Sequence, residues 1–203
     1  ARYENLERIV FNNCFYTDAT TSMNYMFNRC VSLDELDVRG FKTGNVTALD
    51  HMFCECDSLA TLDVESFDTS KAVNMQGMFQ DCTFLQKLDL SGFDTSQVTN
   101  LSYMFSGDGN LTDLNVSGFN TSNARSMQYM FNDCNSLIYI DVSGFDTRNV
   151  LNMSSMFKEC NALTSLDVKS FDTANVKSMQ NMFSGCNGLN RLDVSGFNTG
   201  NVV

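Results

Sequence analysis

The chain has 203 residues, 43% of them hydrophobic, 11% aromatic and 18% charged, with 12 Gly and no Pro. Its 24 acidic against 13 basic residues give a net charge of −11, which argues against phosphate backbones and anionic membrane surfaces as partners, so no nucleic acid is expected to bind. No apolar run approaches the ~18 residues that a membrane-spanning helix needs, and direct membrane insertion is not expected.

Residues 1–32 read as a degenerate N-terminal capping repeat. Leu6, Ile9 and Phe11 keep a leucine-repeat spacing but fall one residue out of step with the units that begin at Leu33. No basic segment leads into an apolar run there, so no signal peptide is expected. From Leu33 the text repeats. Phe41, Phe67, Phe93, Phe119, Phe145, Phe171 and Phe197 are separated by 26 residues, and Phe27, Phe53, Phe79, Phe105, Phe131, Phe157 and Phe183 keep the same period without an insertion. This gives six complete units (33–58, 59–84, 85–110, 111–136, 137–162 and 163–188) and a seventh cut at Val203, all in one continuous solenoid domain. Val202 and Val203 begin an apolar stripe that is not completed, so a longer array is expected.

Within a unit the hydrophobic period changes. Leu62 and Val64 alternate with Thr61, Asp63 and Glu65, which predicts a short half-buried strand, repeated near 35–39, 61–65, 87–91, 113–117, 139–143, 165–169 and 191–195. After the next Phe, residues such as Val98, Leu101, Met104 and Phe105 recur at steps of three, three and one, which predicts one face of a helix. The preceding Asp-Thr-Ser, as at Asp94 to Ser96, predicts a helix N-cap, and Gly or Asn near Gly185 and Gly188 a helix end. A strand and a helix in so short a unit cannot bury their own apolar faces and must stack on copies of themselves. The expected fold class is therefore α/β: a right-handed solenoid with short parallel strands on a concave face and helices on a convex one. Strands stack at about 4.8 Å and helices at about 8–10 Å, which sets the direction of that curvature.

The L-x-x-L-x-V strand, the G-F-D-T-S-N-V segment and the M-x-x-M-F-x-x-C segment resemble the BspA-like, DUF285-type leucine-rich repeats of bacterial and protist surface proteins, from about Leu33 to Val203. The resemblance implies a leucine-rich-repeat solenoid on a secreted or cell-surface protein that mediates adhesion or other protein binding, with a host surface or matrix protein as one partner. The chain departs from the commonest leucine-rich repeats in lacking the Asn that comes after the strand, so no asparagine ladder is expected there.

Several columns bear on chemistry. Cys30, Cys56, Cys82, Cys134, Cys160 and Cys186 form one, with Asp108 in the place of a further member and Cys14 and Cys54 outside it; they read as buried free thiols rather than metal ligands or nucleophiles. His51 is the sole His, and no pair of carboxylates is distinguished from its copies, so no enzyme, no catalytic residue, no metal and no cofactor is expected. The strand column Asp37, Asp63, Asp89, Asn115, Asp141, Asp167 and Asp193 projects outward as an acidic line, which favours a basic or amide-rich protein partner. A purely structural or calcium-stabilised surface stalk is the alternative use of that line. Recognition is expected where units differ. On the strand face these residues are Tyr139, the one large aromatic, with Lys87, Lys169 and Arg191, and the acidic line adds Asp141, Asp63, Asp89, Asn115 and Asp167 to the expected binding face. Tyr25, His51, Tyr103 and Tyr129 share a competing column on the lateral edge.

Overall fold

The computed structural model describes residues 5–11 and 15–203; Cys14 lies outside them. Each 26-residue unit is one coil of a stack. Ser22, Ala48, Asn74, Asn100, Ser126, Asn152 and Ser178 pair in parallel, each with its equivalent in the next coil.

The expected convex helices are not formed: no helix occurs among the described residues. Their place is taken by tight turns with positive φ in two columns four residues apart. Tyr25, His51, Gly77, Tyr103, Tyr129, Ser155 and Asn181 make the first column; Arg29, Glu55, Asp81, Gly107, Asp133, Glu159 and Gly185 make the second. Such a backbone cannot continue a right-handed helix, and for a side chain bearing a Cβ it costs roughly 1–2 kcal/mol per residue. Hydrogen bonding offsets that cost. The N–H groups of Met75, Gly77, Phe79 and Asp81 donate to the carbonyls of Asn100, Ser102, Met104 and Ser106 in the next coil at 2.8–3.2 Å. Between them, Met78, Gln80 and Cys82 donate to Met75, Gly77 and Phe79 of their own coil. A helix would spend all these donors within the segment; the alternation instead ties every coil to the next.

The apolar spacing misled because a succession of tight turns also returns the chain to the same side every three or four residues. The residues expected inside are inside: Leu62, Val64, Phe67, Met75, Met78, Phe79 and Cys82 are all buried.

The strands are sparser than expected. Among the described residues, backbone ladders form only between β1 (Arg8–Ile9) and β2 (Glu35–Leu36) and between β3 (Lys87–Asp89) and β4 (Asp113–Asn115), both parallel. Segments 61–65, 139–143, 165–169 and 191–195 lie on the same side of the coil without a ladder. With no helices, the spacing mismatch that was to make the strand side concave is gone. The rings beside the double-turn Met run lie closer together, 5.4–5.9 Å between centroids from Phe53 to Phe183, than those at the strand corner, 6.4 Å for Phe41 with Phe67 and 6.5 Å for Phe67 with Phe93. The shorter spacing therefore belongs to the turn side.

The corners are built from the polar columns. Asp68, Asp94, Asn120, Asp146, Asp172 and Asn198 were expected to cap helices; each accepts through Oδ1 the N–H two residues on, at 2.9–3.2 Å, and so closes an Asx turn. The buried Thr hydroxyls beside them (Thr43, Thr69, Thr95, Thr121, Thr147 and Thr173) donate at 2.9–3.0 Å to main-chain carbonyls of the next coil. An amide ladder does exist, but at this corner rather than after the strand. Asn123, Asn149, Asn175 and Asn201 donate through Nδ2 to the carbonyls of Ser96, Ser122, Arg148 and Ala174 in the preceding coil.

Candidate functional site

The strand face is assembled from the alternation itself. In each coil two apolar residues point in, and the residues between and beside them point out. Asp63, Lys87, Asp89, Asp141, Asp167, Lys169 and Arg191 are exposed, and Asn115 is half-buried. The outward carboxylates are held by the chain rather than free. Asp63, Asp89, Asn115, Asp141, Asp167 and Asp193 each accept the N–H two residues on at 2.9–3.1 Å. Ser143 and Ser195 add their hydroxyls at 2.6 and 2.7 Å.

These bonds stabilise the charged form. The Ser143 hydroxyl and N–H hold Asp141 below the usual carboxylate range, the Ser91 N–H and hydroxyl do the same for Asp89, and Ser195 for Asp193. At the N-terminal end the Arg39 guanidinium, forked onto Asp37 at 2.9 and 2.8 Å, holds that carboxyl down to about 2. Asp37, Asp89, Asp141 and Asp193 are therefore ionised at neutral pH. Beside the row, the Nζ of Lys87 lies 3.6 Å from Asp113 of the next coil.

Tyr139 is 59% exposed and Ile138 beside it 56%, an apolar pair standing out of a polar mosaic. The backbone beneath them is not in a ladder. Sequence reasoning missed Phe84, equally exposed at 59%. It is the one aromatic in a column otherwise filled by Ser58, Asn110, Ser136, Ala162 and Gly188, and a lone departure in a variable column was the signal that would have found it. Phe84 immediately precedes Leu85, and Tyr139 comes two residues after the equivalent Leu137, two coils further on.

The competing lateral column has another role. Tyr25 stacks on His51 at 4.7 Å and 4° between planes, and Tyr103 on Tyr129 at 4.8 Å and 5°. Ring faces that a partner would use are turned onto neighbouring coils. Tyr103 and Tyr129 are only half exposed. Gly77 interrupts the column, and a Cβ there would lie 2.9 Å from the His51 ring.

The cysteine column is a structural ladder of a kind not foreseen. The thiols of Cys56, Cys82, Cys134, Cys160 and Cys186 donate at 3.0–3.2 Å to the carbonyls of Phe27, Phe53, Phe105, Phe131 and Phe157, one coil back. The described cysteines are free, and burial pushes their ionisation upward, Cys54 to about 12. A thiol so placed is neither a ready nucleophile nor a metal ligand. Among the described residues no three Cys, His, Asp or Glu side chains converge to hold an ion.

Known proteins share both the repeated text and the stacked coil. Residues 7–87, 55–140 and 129–203 match the family described as "Mycoplasma protein of unknown function, DUF285", in overlapping segments that run through nearly the whole chain. Among solved structures, the chain is similar to a leucine-rich repeat protein from Eubacterium ventriosum ATCC 27560, with 20% sequence identity and a TM-score of 0.51 over 84% of this chain and 41% of that one. The likeness extends to the fold, a repeat solenoid, and the chain spans less than half the length of that protein. No curated protein matches.

Proposed function

Since the chain belongs to the DUF285 family, we propose that it is a protein-binding, adhesive module of a secreted or cell-surface protein, which offers its rigid acidic strand face to a protein partner and catalyses no reaction. The observation that carries this reading is the exposed Tyr139 and Ile138 pair, flanked by Asp141 and Asp167, on the side where coils differ from one another. A large aromatic of low side-chain entropy on a preordered surface is the usual form of a binding hot spot. The aspartate row around it selects for basic or amide-bearing groups and steers their approach. Lys87, Lys169 and Arg191 punctuate the row and give it a pattern rather than a uniform charge. The lateral Tyr column is a weaker candidate because its ring faces are already stacked.

The test is adhesion of the purified chain to immobilised matrix proteins and host-cell surfaces. Combining Tyr139→Ala with Asp141→Ala should weaken whichever interaction the parent shows by at least ~2 kcal/mol, about thirtyfold, with little change in melting temperature. The same binding should fall as salt rises, because the charges are exposed. Unchanged binding by that double variant, or loss of binding on replacing Tyr103 and Tyr129 instead, would move the site to the lateral edge.

A further inference from the structure

At the N-terminal end of the strand face a cavity of 680 Å³ opens between β1, β2 and the neighbouring coil. Its floor is aromatic and aliphatic. Phe11, Phe15 and Phe41 pack with ring centroids 4.5, 5.0 and 5.1 Å apart, and Leu36 joins them. Its rim is ionic and unbalanced, with four carboxylates, Asp34, Glu35, Asp37 and Asp63, against two guanidiniums, Arg8 and Arg39. Both guanidiniums already have partners: Arg39 forks onto Asp37 at 2.9 and 2.8 Å, and Arg8 Nε lies 3.3 Å from Glu35. Among the described residues, Asp34 is left without a cation of its own and Asp63 only shares the field of Arg39, already forked onto Asp37, over a hydrophobic floor.

We propose that this cavity is a pocket for a basic side chain, arginine or lysine, presented by a protein partner. The chemistry is that of a long amphipathic side chain. Its aliphatic stem covers the Phe and Leu floor, its charged head reaches the carboxylate rim, and an aromatic ring face within reach of the cation adds to the attraction. An acidic ligand would meet an excess of two negative charges at the same rim. The pocket rests on the reading of the strand face as a protein-binding surface, but it stands several coils from Tyr139, so the two can fail separately.

The experiment is NMR titration of the whole folded chain with two capped pentapeptides, Ala-Leu-Arg-Leu-Ala and its counterpart with Glu in place of Arg, at millimolar concentration. The arginine peptide should shift the resonances of Leu36, Phe41 and Asp63, and the glutamate peptide should not. Asp34→Asn with Asp63→Asn should weaken the arginine peptide by about fivefold or more, whereas Arg39→Gln, which frees Asp37, should strengthen it. Tyr139→Ala should leave the titration unchanged. No shift with the arginine peptide, equal binding of the glutamate peptide, or indifference to both rim variants would overturn the pocket. Shifts confined to the region of Tyr139 would also overturn it while sparing the proposed strand-face site.

Discussion

Truncating Phe105 to Ala is expected to destabilise the chain by ~3–5 kcal/mol, more than the same change at Phe183. Phe105 is wholly buried and stacks on Phe79 at 5.9 Å and on Phe131 at 5.6 Å, so its loss opens a void against both neighbouring coils and removes two aromatic pairs. Phe183 is half-buried, and its second neighbour, Phe197, is tilted rather than stacked at 6.3 Å. In a stack where each coil touches only its neighbours, a central defect also weakens the coupling between the two halves. Urea unfolding of Phe105→Ala should therefore show a lower midpoint and a broader or two-step transition. A single transition shifted no further than that of Phe183→Ala would mean that the Phe stack does not carry the array.

Replacing Asp108 by Cys is expected to stabilise the chain by about 1–3 kcal/mol at neutral pH. Asp108 stands where the other coils place a thiol, and it is fully buried. Oδ1 accepts the Cys82 N–H at 2.8 Å, while Oδ2 has no partner among the described residues. Burial drives its ionisation well above the usual aspartate range, the nearby Asp81 adding to the shift, and the thiol of Cys82 in the coil before is raised by burial first and by Asp108 second. A carboxyl whose folded pKa is raised stabilises the fold fully only below the unfolded value of about 4, and that contribution is lost as pH rises toward the folded pKa. The parent should therefore lose stability as pH rises above the unfolded value of about 4, and the advantage of Asp108→Cys should grow in the same direction. Asp57 and Asp81, also raised by burial, leave the variant a smaller slope of the same sign. The replacement gives the carbonyl of Phe79 the S–H donor that its counterparts in other coils receive, and the Cys82 N–H keeps its bond to that carbonyl at 3.2 Å. A variant less stable than the parent, or a difference independent of pH, would show that Asp108 is accommodated without cost.

The repeat, the stacking and the identity of the core were readable in the sequence because these depend on period alone. Phe columns 26 residues apart can be buried only against one another, and the Leu62 and Val64 alternation locates the face that surrounds Asp63 and Tyr139. What stayed hidden was how the backbone between Val98 and Asp108 closes its hydrogen bonds. Apolar steps of three and four suit a helix and a run of turns equally, and the deciding signal lay elsewhere. Gly77, Gly107, Gly185, Asn181, Asp81 and Asp133 fall in the two columns that adopt positive φ, residue types that tolerate that conformation. Read down the columns instead of along the chain, they argue against a helix. The same misreading turned Asp68 and Asp94 into helix caps, although the interaction expected of them, a carboxylate oxygen on a nearby N–H, is the one they make. The outward position of Tyr139 came from alternation; the prominence of Phe84 did not, because it precedes the strand and no period marks it.

Amide hydrogen exchange on the free protein tests the architecture most directly. The stack predicts protection on the turn side, with the N–H groups of Gly77, Phe79 and Asp81, and of their equivalents Tyr103, Phe105 and Gly107, exchanging slowly because they donate into the next coil. It predicts fast exchange at Tyr139 and Asp141, whose backbone lies outside any ladder and whose face is left open to a partner. Fast exchange at Gly77, Phe79 and Asp81 or at Tyr103, Phe105 and Gly107, or slow exchange throughout 139–143, would contradict it.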